Sequence, residues 1–185
     1  MLIIGITGTL GAGKGTIVEF LTSQKGFVHY SVREFLKKKL LEIGLEANRD
    51  TLTMVANKLR EANSASYVTD QLYEEALQSG SNCIIESIRT PGEIASLRKT
   101  GNFVLFAVDA DPLIRYKRIY LRGSETDKIS YEVFIANEAR EMQSTNPNHQ
   151  NLAACIQLAD FVFSNNGTVS DLQESVEGVL CKLAL

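Results

Sequence analysis

The sequence predicts an α/β fold, a five-stranded parallel sheet with helices on both faces. Two observations lead there. Five short apolar runs alternate with longer amphipathic stretches, so strand and helix follow each other along the whole chain. The first run, residues 2–7, is continuous, apolar and β-branched, as a strand buried on both sides must be. The 185 residues suit one domain, residues 1–185, with a core large enough to need no staple.

The elements follow in order. After the strand at 2–7 comes a glycine-rich turn, then a helix from about Lys14 to Gln24 with Ile17, Val18, Phe20 and Leu21 inward. Phe27 to Tyr30 reads as a strand. Ser31 with Glu34 forms a capping box that opens a helix to about Ile43, closed by Gly44. Asp50 caps a helix through Met54, Val55 and Leu59, and another runs from about Ala65 to Gln78. Asn82 to Ser87 is the third strand. Thr90 and Glu93 form a second capping box, with Pro91 at the first helical position and Gly101 at the end. Phe103 to Asp109 is a strand, Asp111-Pro112 opens a helix to about Arg122, and a helix follows from about Ser130 to Met142. A polar loop at 145–151 and a helix through Ile156 lead to the last strand, Asp160 to Ser164. The turn Asn165-Asn166-Gly167-Thr168 precedes the final helix.

Composition narrows the function. Net charge is −3 with 22% charged residues, which argues against wholesale binding to nucleic acid or an acidic membrane. Three cysteines without a CxxC and two distant histidines argue against a disulfide framework or a zinc site and suit a reducing, cytoplasmic setting. The apolar start is broken at Gly5 and lacks a basic flank, so it reads as neither signal peptide nor membrane span.

The strongest motif lies between the first strand and the first helix: Gly8-Thr-Leu-Gly11-Ala12-Gly13-Lys14-Gly15-Thr16. A glycine, four residues and Gly-Lys is a phosphate-binding loop, whose amides turn inward around an anion at a helix N-terminus. Lys14 is positioned to reach the β- and γ-phosphates of ATP. Gly15 stands where many such loops carry a magnesium-binding Ser or Thr, and Thr16 follows it.

The Gly-Lys-Gly-Thr ending resembles adenylate kinases and other nucleoside monophosphate kinases. The resemblance continues at His29-Tyr-Ser-Val-Arg-Glu-Phe-Leu-Lys37, similar to H-I-S-T-G-D-M-L-R, and at Glu86-Ser-Ile-Arg89-Thr90, similar to a shortened D-G-F-P-R-T. It extends to Arg118-Ile-Tyr-Leu-Arg122, similar to the entrance of the lid, with Arg140 able to close from the other side. Residues 159–168 resemble the last strand and turn of dephospho-coenzyme A kinases.

This resemblance implies a P-loop NTPase of the nucleoside monophosphate kinase type, with an acceptor-binding segment at about 31–80 and a short lid at about 122–140. The implied activity moves the γ-phosphoryl of ATP to a nucleoside or deoxynucleoside 5′-monophosphate. The alternatives are a dephospho-coenzyme A kinase and a nucleotide-binding switch without a small-molecule acceptor. The implied catalytic residues are Lys14, Arg89, Arg118 and Arg122. Gly8, Gly11, Ala12, Gly13, Lys14, Gly15, Thr16 and Asn166 would bind ATP, and Lys37, Arg89 and Glu93 the acceptor. Thr16 and Glu86 would hold Mg²⁺, Glu86 through water. Plainer readings stay open: Lys37 as a solvated helix face, Glu86 and Arg89 as partners of each other, and Glu93 as a capping residue alone.

Overall fold

The computed structural model describes residues 1–124 and 127–184. Strand β1 (Ile3–Gly8), buried along its whole length, lies at the centre of a sheet ordered β2-β3-β1-β4-β5. Its partners are β2 (Val28–Ser31), β3 (Cys83–Glu86), β4 (Phe103–Asp109) and β5 (Phe161–Ser164), and every pairing is parallel. Side chains alternate between the faces, which divides the core in two. Ile4, Ile6, Ile84, Phe106 and Phe163 pack against α1 (Lys14–Lys25) and α9 (Val169–Lys182). Ile3, Ile85 and Leu105 pack against α2 (Val32–Glu42), α3 (Arg49–Ala62), α4 (Tyr67–Ser79) and α5 (Pro91–Arg98). The expected α/β architecture is therefore observed. No helix among the described residues is long and apolar enough to cross a membrane.

Local signals set most boundaries. At Thr90 the full capping box forms: its hydroxyl accepts from the Glu93 amide, and Glu93 returns to the Thr90 amide. The box expected at Ser31 is only half made, because the Glu34 carboxylate pairs with Lys37 at 2.8 Å. Helix α3 is capped by Asn48, two residues before the expected Asp50, in a reciprocal box with Thr51. Helix α5 ends at Arg98, short of the expected Gly101. Beyond β4 come α6 (Pro112–Arg122), α7 (Tyr131–Met142) and α8 (Leu152–Gln157).

The register aligns the carboxyl ends of the strands. Glu86 lies beside Ile6 and Ser31, Gly8 beside Val108, and Asp109 beside Ser164. Ligands of such sheets bind along this edge. Gly8 turns the chain there at φ +140°, and a Cβ on it would run into the carbonyl oxygen of Val108. Gly8→Ala combines a left-handed conformation with overpacking against backbone, so it should cost about 3 kcal/mol or more. Urea denaturation of the ligand-free protein checks this.

Candidate active site

The phosphate-binding loop runs from the end of β1 to the start of α1, capped by Gly13 in a left-handed conformation without a side-chain cap. Among the described residues, the amides of Gly13, Lys14 and Gly15 make no backbone hydrogen bond. Open amides at a helix start form an anion-binding concavity. A Cβ on Gly15 would meet open space, so the ligand side of the loop is clear. Its other side is fastened from three directions. Asn165 donates to the carbonyl of Ala12 at 2.7 Å, Arg115 to that of Leu10 at 3.3 Å, and Thr9 to Asp109 at 2.5 Å.

Lys14 turns its ammonium back onto the carbonyls of Gly8 and Thr9, at 2.9 and 2.8 Å. Burial lowers its pKa to about 7, and the Arg89 and Arg122 charges push the same way against Glu86 and Glu141. Burial works to raise the Glu86 pKa, but the His29 hydrogen bond, the Lys14 charge and the Ser87 hydroxyl outweigh it and keep this carboxylate ionised. The Thr16 hydroxyl makes no hydrogen bond within the described residues. An ionised carboxylate and an open hydroxyl fit a water-ligated hard cation.

Ser87 follows Glu86 at φ +73°, a left-handed conformation rare outside glycine. Its amide and that of Ile88 both donate to the Ile6 carbonyl. This kink ends β3 and delivers Arg89 into a cavity of about 130 Å³. Val32, Leu36, Leu52 and Ala56 form the apolar wall of that cavity, and Arg33, Arg49, Arg60, Arg89 and Glu141 its polar wall. Glu141 reaches in from α7. Its carboxylate takes Arg49 at 2.6 Å and Arg89 at 3.3 Å, one oxygen for each guanidinium.

The chain matches the family described as an AAA domain over residues 4–146. It is 33% identical over 183 residues to the UPF0200 protein MJ1399 of Methanocaldococcus jannaschii, covering 97% of this chain and 89% of the relative. The chain belongs to the UPF0200 proteins. In fold it resembles a gluconokinase from Sinorhizobium meliloti, with TM-score 0.61, 11% identity, and coverage of 99% of this chain and 93% of that one. A shikimate kinase from Bacteroides thetaiotaomicron gives TM-score 0.60 at 11% identity, with coverage of 97% and 98%. Family and fold together give this UPF0200 chain a kinase-like P-loop NTPase fold.

The residues expected at the site divide. Lys14, Glu86 and Arg89 converge at the carboxyl edge of the sheet, close enough for their charges to act on Lys14. Lys37 does not line the cavity. It faces Glu34 on the outer side of α2, while Arg33 lines the cavity instead. Glu93 cannot meet an acceptor base. It is fully buried, one oxygen held by Arg60 and the other by the amides of Arg89 and Thr90. Arg118 donates to the carbonyls of Asn165 and Gly167, so it braces the last turn rather than facing the transferring phosphate. Asn166 accepts from the Asp111 amide, and its neighbour Asn165 is the residue that touches the phosphate-binding loop.

Arg122 is held by Asp127 through Nε and Nη2 at 2.7 and 2.8 Å, a pairing that raises the arginine's pKa. Burial of Asp127 works the other way, but Arg122 and Ser124 keep its carboxyl below the usual range. Arg140 is exposed and reaches Asp50 and Asn137, away from the phosphate-binding loop. The expected lid spans 122–140, and its residues 125 and 126 lie outside the described residues.

Arg49, Arg60, Glu141 and Asn165 escaped the sequence reading. One signal for Arg60 was present: it continues the buried stripe Leu52–Ala56 by one further step of four. An arginine in an apolar stripe marks a buried partner or ligand.

A bound polyphosphate favours the charged form of Lys14 and so raises its pKa from about 7. At pH 8 the ligand-free side chain is mostly neutral, so ATP binding should take up close to one proton there, falling toward none at pH 6. Titration calorimetry in buffers of different ionisation enthalpy measures this, and Lys14→Met should abolish the pH 8 uptake.

Proposed function

We propose that the chain is an ATP-dependent phosphotransferase whose acceptor is a nucleoside or deoxynucleoside 5′-monophosphate. The observation that carries this reading is the carboxylate of Glu141 clasped between Arg49 and Arg89. It is an internal anion seated where an acceptor's anion would sit. Arg89 is also, after burial, the largest influence on Lys14, so the clasp adjoins the phosphate-binding loop. An acceptor bound there presents an anionic oxygen to the γ-phosphoryl, as a monophosphate does. A hydroxyl acceptor, such as the ribose of dephospho-coenzyme A, would leave two guanidinium groups facing a neutral oxygen. The gluconokinase and shikimate kinase among the solved neighbours support phosphotransfer as the reaction class.

In this reading the loop amides from Gly8 to Gly15 cradle the phosphates of ATP, and the turn at 165–167 with Arg118 borders the adenosine end. The acceptor phosphate displaces Glu141 from the clasp, and Arg49 and Arg89 offset the repulsion between the two anions. An acceptor oxygen then attacks the γ-phosphorus. The bond to the β–γ bridging oxygen breaks, ADP leaves, and the acceptor becomes a diphosphate. Lys14 and the open edge of Arg122 balance the charge on the group in flight. Thr16 and, through water, Glu86 would hold Mg²⁺, which neutralises charge on the β- and γ-oxygens when bound.

ADP release from ATP–Mg²⁺ should rise with a nucleoside monophosphate and not with dephospho-coenzyme A. Lys14→Ala should lower turnover about a hundredfold or more. Arg89→Ala should raise acceptor KM about tenfold or more, whereas Glu141→Gln, which removes the competing charge, should lower it. Stimulation by dephospho-coenzyme A alone, or by no acceptor, would overturn the proposal.

A further inference from the structure

We infer that Arg60 reads the far end of the acceptor and selects a base that carries a carbonyl oxygen. This rests on the monophosphate reading above. Arg60 is 1% exposed and lines the same cavity as Arg49 and Arg89. Its Nε and Nη2 both engage Glu93, at 3.2 and 2.8 Å. On the opposite edge of the guanidinium, Nη1 is buried and has no hydrogen-bond partner among the described residues. A buried donor left unmade is costly and calls for a ligand atom.

Glu93 cannot turn to satisfy it, because its second oxygen already accepts from the amides of Arg89 and Thr90. Gln150, on the same cavity wall, likewise leaves its Oε1 buried and unpartnered. With Arg49 Nε, also buried and unpartnered, three polar atoms among the described residues await a polar ligand in one cavity.

The chemistry of that ligand follows from charge. Glu93 cancels the charge of Arg60, so Nη1 offers a directed donor rather than a second cationic clasp. It suits a neutral carbonyl better than an anion. Along α3, Arg49 and Arg60 are three turns apart on one face, so they border opposite ends of the cavity. With the anion held at the Arg49 end, Leu52 and Ala56 between them flank a flat apolar body, and the carbonyl meets Arg60. Guanine, cytosine and uracil carry such an oxygen, and adenine does not. The base is thus read by a donor on Arg60 and not by the Glu93 carboxylate, whose oxygens are both taken.

The test compares GMP, CMP, UMP and AMP as acceptors at saturating ATP–Mg²⁺, together with calorimetric binding of each to the wild-type protein. Carbonyl bases should exceed AMP in kcat/KM and in affinity by about tenfold or more. The double variant Arg60→Met/Glu93→Gln removes the donor without stranding a buried carboxylate, and its carboxamide keeps an oxygen for the two backbone amides. It should narrow the preference to within about threefold through KM, with kcat little changed. If AMP matches or exceeds the others in the wild type, or if the folded double variant keeps full selectivity, Arg60 does not read the base. If no monophosphate binds or reacts, the monophosphate reading itself falls and takes this inference with it. The wild-type binding comparison decides the matter even where the variant fails to fold.

Discussion

Lys14, Arg49, Arg89 and Arg122 crowd the carboxyl edge of one sheet, and the chain around them has to offset their like charges. Three carboxylates from three elements answer these four charges, with Glu141 serving both Arg49 and Arg89. Glu86 comes from β3, Glu141 from α7, and Asp127 from the segment after α6. Burial first, and the Arg89 and Arg122 charges after it, lower the Lys14 pKa to about 7, so at this position the protein sheds charge as well as offsetting it. In the proposed reading, the site is a set of anion-binding groups held ready by internal anions. Such an arrangement would give up some affinity, since the internal anion would have to be displaced. In return the fold does not have to sustain bare like charges.

Much of the architecture was legible because its signals are local. A buried strand, a glycine-rich turn and a helix start lie within sixteen residues, and each needs only its neighbours to be recognised. The box at Thr90 is of the same kind. What escaped was settled by distant contacts. Glu93 could be read as a cap, but Arg60, 33 residues earlier, decides that no oxygen is left for a ligand. Asn165 and Asn166 are identical neighbours, and only the path of the last turn decides which reaches Ala12 and which reaches Asp111. Arg118 and Arg122 share a helix face, yet one turn of separation sends them to different partners.

The fold neighbours show why acceptor choice must be argued from walls rather than from topology. A gluconokinase and a shikimate kinase share this architecture at 11% identity. The phosphate-binding loop depends on backbone geometry and a lysine, so it tolerates wide divergence elsewhere. The cavity wall is drawn from α2, α3, the segment after β3 and α7, with Leu10 of the phosphate-binding loop and Gln150 added, and few backbone constraints act on most of its polar residues. Arg33, Arg49 and Glu141 are therefore positions where chemistry can change without disturbing the sheet.

The pair between buried Arg115 and partly exposed Glu138 has a mechanical consequence. Arg115 is 2% exposed, holds Glu138 through both terminal nitrogens, donates to the carbonyls of Ala110 and Leu10, and stacks over Phe134 at 5.4 Å. Lifting α7 away as a rigid rod would break both bonds to Glu138 and the Phe134 contact, leaving Arg115 only the two carbonyls and Asp109 at 3.5 Å. Glu141 lies three residues further on, in a clasp that solvent partly reaches. The cheaper motion leaves the shaft of the helix pinned and unwinds only its final turn. The joint of this machine would then be a few peptide units beyond Glu138, with the pin and the moving jaw on the same helix.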